Sequence, residues 1–168
     1  MPHPIRQGDI PGVQLRYERQ FDLPAERLWR WLTEPDLLRR WLASGVDRDV
    51  DGAPGWVLRG TDESGRPLVE AARTLVLDDG VESGKRHWTA SFERRDDGWS
   101  AATRLSLRIT GQRPCELTVL QQGFERLPLS RCLTVWELYR RRWRAAFDRL
   151  AAALDEEETT SRPSPGSG

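Results

Sequence analysis

Residues 133–154, LTVWELYRRRWRAAFDRLAAAL, decide the fold. Trp136, Tyr139, Trp143, Phe147, Leu150 and Leu154 recur at intervals of three or four, which places them on one stripe of an α-helix. Arg140, Arg141, Arg142, Arg144, Asp148 and Arg149 fall mostly off that stripe. At a rise of about 1.5 Å per residue the helix is about 33 Å long, enough to cross a small domain. Burying its three largest aromatic side chains removes on the order of 500 Å² from water, worth at most about 12 kcal/mol. A domain's net stability is only about 5–15 kcal/mol. The helix therefore requires a large apolar partner, and the sequence before it reads as a sheet.

Upstream, Leu15, Tyr17 and Phe21 alternate with polar residues from Val13 onward, as in a half-buried strand. Pro24 and Glu26 suit the first turn of a helix carrying Leu28, Trp29 and Leu32 inward. Pro35 ends that helix and opens a second short one, residues 36–42, with Trp41 apolar. Short strands follow near 46–50, 56–59, 67–77, 87–93, 103–109 and 116–121. They are separated by turn chemistry such as Asp62-Glu63-Ser64-Gly65 and Asp96-Asp97-Gly98. Successive strands with short turns make an antiparallel meander. The expected architecture is α+β, a curved antiparallel sheet of about six or seven strands around a long C-terminal helix, with two short helices after strand 1. The expected organisation is a flexible lead-in over 1–12, one domain over 13–154, and a disordered acidic, Ser-Pro-Gly tail over 155–168, because acids oppose the dipole at a helix C-terminus.

The composition narrows the function classes. The 26 basic and 26 acidic residues of the 168 cancel, so no net field draws nucleic acid, and the arginines of the last helix fan out toward solvent. No apolar run is long enough to insert in a membrane and the start lacks the apolar core of a signal peptide, so a cytoplasmic location is expected. Cys115 and Cys132, with His3 and His87 the only histidines, give neither a disulfide scaffold nor a metal site. No cofactor is expected.

The run from Asp22 to Trp41, DLPAERLWRWLTEPDLLRRW, with Trp88, Thr103, Gly123-Phe124 and Trp143 beyond it, resembles the activator of heat-shock protein ATPase homologue family. That family lies within the START-like (SRPBCC) superfamily of helix-grip folds, and the resemblance covers about residues 13–154. Gln121 and Tyr139 stand where family members often carry histidine. The resemblance implies a cavity between sheet and helix lined by aromatic side chains, hence a hydrophobic small-molecule partner. It also admits a homodimer and a chaperone partner.

From the residues, the candidate ligand-binding set is Trp41, Trp56, Trp88, Phe92, Gln121, Trp136, Tyr139 and Trp143, lined further by Leu105, Leu107, Leu117 and Val119. Gln121 shares a strand face with Leu117 and Val119, so its amide points into apolar space. Unpaired there it costs about 1–3 kcal/mol, and Tyr139, water or a ligand is expected to satisfy it. No catalytic residue is expected: the sequence offers no inward carboxylate pair, and the register of 67–77 places Glu70 and Arg73 off the inner face. Two alternatives stand beside a binding protein. One is an enzyme of the polyketide cyclase or aromatase type; the other is a protein-interaction module using the arginine-rich helix face.

Overall fold

The computed structural model describes residues 6–61, 64–80, 82, 84–95 and 102–161. Both turn motifs singled out above fall at least partly outside those residues. Among the described residues eight antiparallel strands form a single sheet: β1 (Arg6–Gln7), β2 (Gln14–Phe21), β3 (Gly45–Val50), β4 (Ala53–Thr61), β5 (Pro67–Asp78), β6 (Lys85–Arg94), β7 (Thr103–Thr110) and β8 (Cys115–Gln122). The spatial order is β1-β2-β8-β7-β6-β5-β4-β3. Helices α1 (Ala25–Thr33) and α2 (Pro35–Leu38) follow β2, and α3 (Leu129–Ser161) closes the chain. This is the helix-grip arrangement.

The α3 stripe is as expected. Trp136, Tyr139, Trp143, Phe147, Leu150 and Leu154 are all buried, against Leu105, Leu107, Leu117 and Val119 from the central strands. Gly123, at φ 97°, supplies the left-handed turn that brings β8 round to Phe124, which is fully buried beneath α3. Pro35 opens α2 as its proline chemistry requires. The helix ends earlier than the sequence suggested, and Trp41 follows it with its indole N–H donating to the Trp31 carbonyl at 2.8 Å.

Two ends of the chain differ from expectation. Part of the lead-in is ordered as β1, with Arg6 opposite Glu18 and Gln7 opposite Tyr17. The last helix does not fray at its acids but runs to Ser161. Glu157 explains the extension: it accepts from Arg27 Nε and from Trp31 Nε1, each at 2.9 Å, so the acidic run is fastened to α1. Residues 162–168 lie outside the described set.

Cys115 lies within this buried core. It is 1% exposed, its thiol donates to the Leu23 carbonyl at 3.4 Å, and burial pushes its pKa from 9.0 to about 11. The folded state therefore holds this proton over a range in which the unfolded chain releases it. Stability should be unaffected below about pH 9 and fall as pH rises from about 9 to about 11. Urea unfolding at about pH 8 and about pH 10.5 measures the fall, and Cys115→Ala should reduce it.

Candidate functional site

The site grows from the inner face of β5. Leu68, Glu70 and Ala72 alternate inward and are buried, while Arg73 stays exposed on the opposite face. Glu70 is therefore an inward carboxylate, 1% exposed, contrary to the sequence register. It sits between Leu58 of β4 and Arg94 of β6, and Arg94 is itself buried. From α3, the Tyr139 hydroxyl donates to Glu70 Oε2 at 2.5 Å and Arg142 Nη1 donates to the same oxygen. The Arg142 guanidinium also lies 5.3 Å from the Tyr139 ring centroid. Residues 139 and 142 are three apart on one helix, so both heads reach a single carboxylate. Burial, then the Glu70 charge, raises the Tyr139 pKa well above its usual value, so the phenol remains a neutral donor. A carboxylate already held by an arginine and a phenol is poorly placed to abstract a proton from anything else.

Gln121 is fully buried and satisfied within the protein. Its Oε1 accepts from Trp143 Nε1 at 2.8 Å, and its Nε2 donates to Thr103 Oγ1 at 2.9 Å. Thr103 Oγ1 in turn donates to the Phe92 carbonyl at 3.2 Å. Of the three partners expected for Gln121, Tyr139, water or a ligand, none is needed: Thr103 and Trp143 satisfy the amide, and the Tyr139 hydroxyl donates to the inward Glu70. Two more indoles of the candidate set have partners: Trp88 Nε1 donates to Thr74 Oγ1 and Trp136 Nε1 to the Gln14 carbonyl, both at 2.9 Å.

Open space lies at the mouth of this region rather than in its middle. A cleft of about 470 Å³ runs between residues 39–44, the ends of β4 and β5 and the outer turn of α3, within the range of about 300–1,000 Å³ typical of ligand sites. Five arginines line it, Arg39, Arg40, Arg59, Arg142 and Arg149, against one acid, Glu70. Behind it a slit walled by Leu42, Leu58, Phe92, Tyr139, Trp143 and Ala146 holds only about 20 Å³, room for about a single water. Leu42, Arg142 and Arg149 line both spaces and stand between them.

The structure thus divides the sequence-predicted residues. Trp41 lines the cleft, and Phe92, Tyr139 and Trp143 line the slit. Trp56 and Trp88 face a separate groove of about 260 Å³ beside Thr33 and Leu77. Trp136 and Gln121 line none of these three spaces. Glu70, Arg142 and Arg149 are the additions that sequence reasoning missed. Arg149 carried a signal: its neighbours three and four positions away are Ala145, Ala146, Ala152 and Ala153, so no acid on its own helix can pair with it.

Among solved structures, the chain is similar to protein Ms6760 from Mycobacterium smegmatis, with a TM-score of 0.71 and 13% identity over 90% of this chain and 97% of that one. An AHSA1 protein from Silicibacter pomeroyi gives 0.63 at 18% identity, covering 86% and 99%. CalU16 from Micromonospora echinospora gives 0.60 at 17% identity, covering 96% and 85%. These likenesses carry the fold alone. No curated protein sequence matches the chain. The family described as "Activator of Hsp90 ATPase homolog 1-like protein" matches residues 22–155, the span from the end of β2 almost to the end of α3, and the chain belongs to that family.

Proposed function

We propose that this protein binds a hydrophobic small molecule between its sheet and α3, admitted through the cleft beside Leu42. The observation that carries the reading is adjacency: a cleft of ligand size and an aromatic slit share three lining residues, Leu42, Arg142 and Arg149. A ligand body enters only if Leu42 or the Arg142 stem moves aside, opening a passage, and the slit widens beyond its present volume of about 20 Å³. Both lie at the rim, and neither is fully buried. An enzyme of the cyclase or aromatase type would need a group free to exchange a proton, and neither Glu70 nor Tyr139 offers one. One observation favours a protein-interaction role instead, that the interior is filled by its own aromatics.

Tryptophan emission tests the choice. Flavonoids, fatty acids and polyketide-like aromatics are titrated against the folded protein, with Trp41 and Trp143 as the reporters nearest the passage. Saturable quenching by one class is the expected result, weakened about tenfold by Leu42→Phe, which narrows the shared mouth. Silence across the panel would overturn the reading and favour a protein partner.

A further inference from the structure

Charge around the cleft is unevenly compensated. Arg39 pairs with Asp36 at 2.5 Å, Arg59 with Asp47 at 2.9 Å, Arg40 with Glu156 at 3.6 Å, and Arg142 with Glu70. Among the described residues Arg149 alone of the five has no carboxylate partner. Its Nε donates to the Trp41 carbonyl at 3.0 Å, which ties the side chain to the lining of the cleft and leaves both terminal nitrogens free of that bond. The four alanines around it on α3 cannot supply an acid, and Ala145 leaves space beside it. Glu70 cannot turn outward to serve it, being committed to Tyr139 and Arg142 and facing Arg94 across the register. Partial desolvation, then the nearby Arg142 charge, lowers the Arg149 pKa.

We infer that the ligand of this cleft carries an anionic head group, a carboxylate or a phosphate, seated on Arg149 at the mouth beside Arg142, with its apolar body directed past Leu42 into the slit. The inference rests on the ligand-binding reading above and names its ligand class. A planar guanidinium fixed through Nε presents its terminal N–H groups as donors to an oxyanion, and such charge-assisted bonds are roughly twice as strong as neutral ones. The arrangement selects amphipathic acids over neutral molecules of the same length.

The test uses three probes with one apolar body, octanoate, octyl phosphate and octanol, each below its aggregation concentration. Binding is read from the indole and Arg Nε–H resonances of the isotope-labelled protein, in the parent and in Arg149→Gln. An anionic probe should bind about tenfold or more tightly than octanol, shifting Arg149 and Trp143 together. Arg149→Gln should abolish that preference, the two anions then binding no more tightly than octanol. Which of the two anionic probes binds more tightly identifies the head group. Octanol binding as tightly as both anions, or a preference that survives Arg149→Gln, would overturn the anionic head while leaving the hydrophobic site standing. Anion binding that shifts Arg149 without Trp143 would instead overturn the slit and leave the anion seat. No saturable response to any probe would overturn both.

Discussion

Glu70→Leu should lower the melting temperature by roughly 6–20 °C. The substitution leaves Arg142 and the buried Arg94 facing an apolar side chain and removes the acceptor of the Tyr139 hydroxyl. Removing one partner of a buried ionic cluster costs about 3–5 kcal/mol. For a domain of this size each kcal/mol shifts the midpoint by about 2–4 °C. The partial exposure of Arg142, 30% of its side chain, gives its head an escape into the cleft and favours the lower end of the range. Replacing both Glu70 and Arg142 by leucine should recover part of the loss, since an apolar substitute for a whole buried ion pair is often neutral. Glu137→Ala on the same helix is the control. Glu137 pairs with Arg140 and Arg141 at the surface, and its loss should leave the melt nearly unchanged. Circular dichroism at increasing temperature measures all three, and a Glu70→Leu melt matching the parent would mean that the carboxylate is not held as described.

Trp143→Ala should cost about 3–5 kcal/mol, as large-to-small changes at buried aromatics do. Two effects add here. The indole fills the slit beside Phe92 and Tyr139, and its N–H is the donor to Gln121 Oε1. Without it the buried amide oxygen is stranded, worth about 1–3 kcal/mol of the total. A double-mutant cycle separates the two: Trp143→Phe keeps most of the volume and loses the donor, and Gln121→Leu removes the acceptor. The double variant should be less destabilised than the sum of the singles, by about 1 kcal/mol, measured by urea unfolding. Strict additivity would mean that the hydrogen bond is not made in solution.

The parts of this molecule that were legible in the sequence are those with one buried face. α3 presents a continuous aromatic stripe opposite arginines, and β7 and β8 alternate strictly, so Leu105, Leu107, Ile109, Leu117, Val119 and Gln121 fall where their parity places them. Strand β5 is different. Its outward side packs Ala71 with Val50 and Val57 in a second small cluster, so both faces carry apolar residues and parity does not distinguish them. The irregularity between Thr74 and Val76 then shifts the register, leaving Leu75, Val76 and Leu77 exposed. The acidic run after Leu154 misled for another reason: the helix dipole argued for fraying, and the tertiary partners Arg27 and Trp31, more than a hundred residues away, overrode it. Within the site, the aromatic lining was legible as composition. Its division among cleft, slit and a separate groove depends on which strand ends diverge, and no local pattern encodes that.

The central claim is that a ligand enters beside Leu42 and lodges against Phe92, Tyr139 and Trp143. The most direct test follows the indole N–H resonances of the labelled protein as an amphipathic ligand is titrated in. The account predicts saturable shifts concentrated at Trp143 and Trp41, which flank the passage, with Trp136, bonded to the Gln14 carbonyl at the other end of the aromatic stripe, unmoved. Shifts centred on Trp56 and Trp88, or none at any indole at saturating ligand, would contradict it.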